Sequence, residues 1–172
     1  TMAILYSQKL QRGEDKGYVG TFLKQLKEVA KMCKDKNIKI ISNAGGLNPK
    51  SMAKEVDTIF SELAVDATVA YIQGDDLIKD LDQLQTEGET FENIDRKIPL
   101  SESGCKVLSA NTYLGCWGIK EALDLGADIV ICPRVTDASV TMGAAAWKFN
   151  WQRDDYDALA GSLAAGHIIE CG

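Results

Sequence analysis

Short apolar runs alternate with amphipathic helical segments along the whole chain. The runs lie at residues 38–42, 67–72, 106–110 and 128–132, and a loop of small or polar residues follows each one. Continuous apolar runs of this length are typical of strands that are buried on both faces. A strand, a helix and a further strand in this order form a right-handed crossover between parallel neighbours. The pattern predicts an α/β fold with a mostly parallel sheet and helices on both faces, a Rossmann-like three-layer sandwich.

Helix signals follow the apolar runs. Residues 22–36 carry apolar side chains on one face, and Asn37, which tolerates the left-handed backbone conformation, is placed to end that helix. Asn48 before Pro49 is typical of a helix start, because Asn accepts a hydrogen bond at the N-cap and Pro presets the next φ. The helix after Pro49 is predicted to bury the side chains of Met52, Val56, Ile59, Phe60 and Leu63.

The length of 172 residues suits one α/β domain, which we place over residues 1–172. Thr1-Met2 opens directly on a helical pattern, and the last residues after Gly166 stop within an apolar stretch. Because natural chains more often end in polar, poorly ordered residues, we expect a fragment of a longer chain. Residues 86–104 show no period and are predicted to form a long polar loop or an insertion.

Charge and cysteine usage exclude several classes of protein. The net charge of −6 argues against nucleic-acid binding and against binding to an anionic membrane surface. No apolar stretch reaches the roughly 18 residues of a membrane helix. The 5 cysteines are widely spaced without a Cys-x-x-Cys pair, and His167 is the single histidine, so the pattern does not indicate a zinc site. We therefore expect reduced, buried cysteines in a cytoplasmic protein, with no metal site.

The loops after the predicted strands are where a ligand would bind. In open parallel sheets, ligands bind beyond the carboxyl ends of the strands, and all four loops are rich in glycine or short polar residues. The candidate site residues from these loops are Asn43, Gly45, Gly46, Asp75, Asp76, Asn111, Tyr113, Arg134 and Asp137. If the sheet is parallel, their side chains meet at one edge and line one cleft.

The first two loops have alternative interpretations. Gly45 and Gly46 either form a turn that needs positive φ or let backbone amides approach an anion. A nucleotide is weakly supported there, because the loop lacks the lysine of a P-loop and the GxGxxG spacing. Asp75 and Asp76 either cap a helix or form a carboxylate pair that moves protons or holds Mg²⁺. The sequence leaves the cofactor open.

Two further candidates depend on spacing. Arg134 and Asp137 form either a local salt bridge with an N-cap at Asp137, or a site in which the guanidinium grips a carboxylate or phosphate. His167 is either a satisfied core residue or a proton carrier that Glu170, three residues later, orients. Cys171 on the same predicted helical face is a weaker candidate as a nucleophile.

Several blocks together resemble a known family. They are residues 41–49, 109–115, 126–139 and 165–172, together with Gly74-Asp75-Asp76, and they span the chain in the family's order. They are similar to the acyclic terpene utilisation protein AtuA family. The resemblance implies a cytoplasmic protein of citronellol and geraniol breakdown, encoded among acyl-CoA enzymes and longer than this chain.

From the residues and the resemblance together we expect an enzyme acting on a branched carboxylate or an acyl-CoA by hydration, dehydration or lyase chemistry. Arg134 would hold the anionic group, Asp75 or Asp76 and His167 would move protons, and Asn43 and Asn111 would orient oxygens. The alternative is a non-catalytic partner or scaffold subunit of an acyl-CoA enzyme complex. The sequence leaves the formation of a homo-oligomer open.

Overall fold

The computed structural model describes residues 2–171, without the side chain of Cys171. The helices are α1 (Met2–Arg12), α2 (Gly20–Asp35), α3 (Pro49–Glu62), α4 (Leu81–Thr86), α5 (Trp117–Asp124), α6 (Ser139–Lys148) and α7 (Tyr156–Cys171). The strands are β1 (Ile40–Gly46), β2 (Val69–Tyr71) and β3 (Ile129–Pro133), and a single 3₁₀ turn spans Leu100–Glu102.

The strands form one small parallel sheet in the order β1-β3-β2. Ile129 of β3 lies opposite Ile40 on one side and Val69 on the other, and both pairings run parallel. The α/β class and the parallel pairing of the first, second and fourth predicted strands are confirmed. The sheet has three strands within residues 2–171, so it is smaller than predicted.

Alternate residues of the central strand face two separate cores. Ile129 and Ile131 are fully buried in a cluster with residues of α2 and α3, such as Leu26, Met52 and Val56. Val130 and Cys132 are fully buried in a second cluster with Ile119 and Leu123 of α5. Since successive strand side chains point to opposite faces, the two clusters lie on opposite sides of β3. Burying each such side chain stabilises the fold by about 1.5–3 kcal/mol.

The predicted strand at residues 106–110 is wrong. Both edges of β3 are already paired, to β1 and β2, so this run has no free edge along residues 129–131. The chain instead makes isolated bridges, antiparallel from Asn111 to Asp76 and parallel from Leu114 to Val135. Three strands and these bridges do not establish the Rossmann-like three-layer sandwich that the sequence predicts.

The first strand extends through the segment predicted to be its loop. β1 continues to Gly46 with a register irregularity between Ser42 and Gly46. A Cβ on Gly45 would lie 2.5 Å from the carbonyl oxygen of Cys132, and one on Gly46, where φ is +53°, would collide with the side chain of Leu5. Glycine at these positions therefore lets β1 approach β3 and α1 closely.

The two predicted helix ends of the first half are confirmed. The Asn48 side chain accepts a hydrogen bond from the Ser51 N–H at 3.2 Å, with Pro49 in the first turn of α3. Asn37 has φ of 52°, directly after α2 and its C-cap residue Lys36. The N-cap predicted at Asp137 is wrong, because α6 begins at Ser139 and its N-cap residue is Ala138. None of the described helices is both long enough and apolar enough to pass through a membrane.

Candidate functional site

A cavity of about 390 Å³ opens at the carboxyl edge of the sheet. Its polar walls come from the ends of two strands and from two helices, with Asn43 on β1, Arg134 just after β3, Thr21 and Gln25 on α2, and Glu170 on α7. Leu5 and Phe22 supply much of its apolar wall. Parallel neighbours end at the same edge, which explains why Asn43 and Arg134 line one space.

Asp75 connects three of the predicted loops. Its Oδ2 accepts hydrogen bonds from Asn111 Nδ2 at 2.8 Å and from the Arg134 backbone N–H at 3.3 Å. Its backbone carbonyl accepts a further bond from the Thr112 N–H at 2.8 Å. Asp75 is only 4% exposed, so this carboxyl group lies beneath the Arg134 loop rather than on the surface.

The environment of Asp75 alters its protonation. Burial raises the pKa of Asp75 above the ordinary value of an aspartate, and the hydrogen bonds from Asn111 and the Arg134 N–H offset only part of that effect. A carboxyl group whose pKa rises toward neutrality is better suited to donate and accept protons at neutral pH than an ordinary aspartate. It is the one predicted site residue with a resolved shift of this kind among the described carboxyl groups.

Arg134 is held in position from two sides. Its guanidinium pairs with the Asp137 carboxylate and lies over the Tyr113 ring, with 4.4 Å between Cζ and the ring centroid. The salt bridge is the alternative that the spacing left open, and the guanidinium also lines the cavity. Within residues 2–171, Nε of Arg134 is buried and has no hydrogen-bond partner. An orphaned buried donor costs about 1–3 kcal/mol, which a ligand oxygen could recover.

Asp76 does not share a space with Asp75. Its side chain is exposed, and Oδ1 accepts a hydrogen bond from the Ile78 N–H at 3.0 Å in a local turn. It lines a separate, smaller cavity of about 120 Å³ that Lys9 of α1 also lines. No group of three or more His, Cys, Asp and Glu side chains suited to a metal occurs in the part of the chain that the structure describes.

His167 lies away from the other candidates. It is exposed on α7 and is absent from the residues that line the cavity. Its neighbour Gly166 is buried against α6, where a Cβ would meet Ala138 at 2.7 Å, and Glu170 reaches the cavity one turn later. The side chain of Cys171, the candidate nucleophile, lies outside the described residues.

The remaining cysteines are poor nucleophiles where they are buried. Burial raises the pKa of the Cys132 thiol to about 12 and also raises that of Cys116. Cys33 is buried as well, whereas Cys105 is exposed. The prediction that the cysteines are buried is therefore confirmed for Cys33, Cys116 and Cys132, and is wrong for Cys105, which follows the exposed segment after the 3₁₀ turn. That they are reduced stays a prediction.

The sequence alone did not indicate Thr21, Gln25 and Glu170 as residues of this cavity. Thr21 and Gln25 lie in an amphipathic segment whose pattern predicts only a helix packed on the sheet. The spacing of Glu170 indicates only a partner for His167. The one available signal is that α2 begins without an acidic residue in its first turn and without a side-chain cap. Helix starts of this kind are suited to face an anion.

Comparison with known families identifies the family of the chain. A family model described as the acyclic terpene utilisation family protein AtuA matches residues 1–172, the whole chain. The chain belongs to the AtuA family. Membership links this AtuA chain to acyclic terpene utilisation. No curated protein and no solved structure matches it.

Proposed function

We propose that this AtuA chain is part of an enzyme that acts on a branched carboxylate or acyl-CoA intermediate of acyclic terpene catabolism. The reaction class is acid–base chemistry, as hydration, dehydration or C–C cleavage. The observation that carries the proposal is the contact between a buried carboxyl group, Asp75, and the loop of a cavity-lining arginine, Arg134. Buried groups with a shifted pKa beside a cavity-lining loop are typical of catalytic sites.

Arg134 is the proposed anion-binding residue. Its planar guanidinium matches the two oxygens of a carboxylate, and Tyr113 and Asp137 hold its plane in place before a ligand arrives. Asn43 lines the same cavity and would donate to a substrate oxygen. Gly46 lines the cavity, and Gly45, next to it in β1, lets the strand end lie close to Cys132 of β3.

Asp75 is the proposed proton carrier. A buried carboxyl group with a raised pKa holds a proton more readily than an ordinary aspartate and can return one to the carbon or oxygen from which it took it. Asn111 fixes the orientation of the Asp75 carboxyl group through their 2.8 Å hydrogen bond. Asp75 does not itself line the cavity, so a substrate proton would have to reach it past the Arg134 loop. Asp76 and His167 remain proposed as secondary proton carriers, and they too would have to act from outside the main cavity. The Rossmann-like three-layer arrangement, a homo-oligomer and a cytoplasmic location are also proposals.

The test is turnover measured on unsaturated and hydroxylated branched acids and their CoA thioesters. Proton NMR follows addition or loss of water, and we expect signal changes with the wild-type protein. Asp75→Asn keeps an acceptor oxygen but cannot ionise, so turnover should fall by about 10²-fold or more. Arg134→Ala should also lose turnover, whereas the matched control Arg153→Ala should retain it, since Arg153 stacks on Trp117 outside the cavity. Equal turnover by Asp75→Asn and wild type would contradict the proposal.

A second candidate function is favoured by the surface of α7. Ile168 and Ile169 are 71% and 69% exposed, and Leu163 of the same helix is also exposed. Exposed apolar side chains that lie together are typical of interaction surfaces. A scaffold subunit would lose its association with an acyl-CoA enzyme of the terpene route in an Ile168→Lys, Ile169→Lys variant, measured by co-sedimentation. Under that function Arg134→Ala would leave the association unchanged.

A further inference from the structure

The charges around the main cavity are few. Among residues 2–170, Arg134 is the one positively charged side chain that lines it, and Glu170 is the one negatively charged side chain. Asp137 already pairs with Arg134 and takes part of its charge. The chain as a whole carries a net charge of −6. A nucleotide tail with several phosphate groups would therefore find a single, shared cation among the described residues that line this site.

The donors around Arg134 suit one small anionic group. The guanidinium plane is fixed by Tyr113 and Asp137, and its buried Nε has no partner among the described residues. Asn43 and the first turn of α2, which has no acidic residue, line the same space. A carboxylate has two oxygens and one charge, which these donors can satisfy together.

The remaining wall of the cavity is apolar, and the volume of the cavity is small. Leu5, Phe22, Ala44 and Pro133 line the cavity beside the polar end. A volume of about 390 Å³ lies near the lower end of the roughly 300–1,000 Å³ that ligand pockets occupy. This is enough for a branched hydrocarbon chain and its acid group, but the nucleotide portion of a CoA thioester would have to lie outside.

We propose that the cavity binds the free carboxylate form of a branched acyl substrate, with the acid group at Arg134 and the hydrocarbon chain against Leu5 and Phe22. The inference rests on the proposed function and narrows it from two substrate classes to one. In a CoA thioester the carboxylate charge is gone, so the interaction with the guanidinium would lose its ionic component. The chemistry of the site thus places this chain before acyl-CoA formation or after thioester hydrolysis.

The test is isothermal titration calorimetry on the protein with three probes. The probes are a methyl-branched acyclic monoterpene acid, its primary amide, and its CoA thioester. We expect the acid to bind at least about tenfold more tightly than the amide or the thioester, because neither derivative presents a charged carboxylate to the Arg134 guanidinium. Arg134→Ala should weaken acid binding by about 10- to 100-fold and leave amide binding nearly unchanged. Arg153→Ala, the other arginine stacked on an aromatic ring, is the matched control and should bind the acid like wild type.

The other binding results separate the carboxylate inference from the proposed enzyme function. Tighter binding of the thioester than of the acid would overturn the inference and leave the proposed function standing. Acid binding that Arg134→Ala does not weaken would also overturn it. Acid binding without turnover of any acyl compound would support the inference and count against the enzyme proposal. If none of the probes bound, both would be contradicted.

Discussion

At the scale of single residues, the buried Asp75 and the half-buried Asp128 show opposite electrostatics. Burial raises the pKa of Asp75, and two neutral hydrogen-bond donors do not compensate for it. Burial also acts to raise the pKa of Asp128, but hydrogen bonds from Lys34, Lys39 and the Thr68 N–H outweigh it and lower the pKa to about 2. The Lys34 and Lys39 ammonium groups lie 2.8 and 2.9 Å from the Asp128 oxygens. Asp128 therefore stabilises the start of β3, whereas Asp75 costs stability at neutral pH.

The lowered pKa of Asp128 predicts that the protein loses stability in acid. A folded-state pKa lowered from 3.8 to about 2 gives stability that is present above pH 3.8 and lost as the pH falls toward 2. Asp128→Asn should lower the free energy of unfolding at neutral pH by about 2 kcal/mol, and the difference from wild type should disappear near pH 2. Urea unfolding across this pH range measures it. The control is Asp124→Asn, since the Asp124 side chain is 41% exposed in its pair with Lys120, and such a pair should be worth under about 1 kcal/mol.

The raised pKa of Asp75 predicts the opposite dependence of stability on pH. Because its folded pKa is raised above 3.8, the folded state binds more protons than the unfolded state, and stability falls as the pH rises through the folded pKa. In Asp75→Asn this particular fall should be absent, so the variant gains relative to wild type as the pH rises above about 4. The same urea series on the two proteins measures the difference. A gap between them that stays constant with pH would contradict the assigned environment.

At the scale of elements, close approach between helices and strands depends on glycine. Gly143 of α6 lies where a Cβ would come within 2.6 Å of the Ile119 side chain of α5. Gly161 of α7 has open space around the same position. Both are interior helical positions, so their intrinsic helix preferences are matched and only the packing differs.

This pair of glycines gives a packing prediction. Gly161→Ala should stabilise the protein by up to about 1 kcal/mol, because alanine is the better helix former. Gly143→Ala should destabilise it by about 1–3 kcal/mol, because the added methyl group forces α5 and α6 apart. Thermal unfolding of the two variants measures both effects. If Gly143→Ala were as stable as Gly161→Ala, the close contact of α5 with α6 would be wrong.

The elements also show which features the sequence could predict. The strands and the helix start at Asn48-Pro49 follow from local patterns, namely apolar runs and capping chemistry. The run at 106–110 has the same local pattern as a strand, but whether a run joins the sheet is decided by tertiary pairing, and among the described residues only β1 and β2 pair with β3. Asn43 to Gly46 was predicted as a loop from its glycines, yet those glycines allow the strand to pass close to Cys132 and Leu5.

At the scale of the whole molecule, the candidate site is the edge where β1 and β3 end. The rule that ligands bind beyond the carboxyl ends of parallel strands predicted Asn43 and Arg134 for one cleft, and both line the same cavity. Asp75 and Asn111 join the group through hydrogen bonds, a connection that no spacing in the sequence encodes. Glu170 enters from α7, whose position depends on packing against α6.

The proposals above require that the functional ligand binds in this cavity rather than elsewhere on the molecule. Hydrogen–deuterium exchange measured by mass spectrometry, with and without a bound branched acyl compound, tests it directly. We expect new protection of backbone amides in the first turn of α2, at the end of β1 and around Arg134, with no change around Trp151 and Arg153. Protection confined to residues 149–154, or to the exposed face of α7, would contradict it.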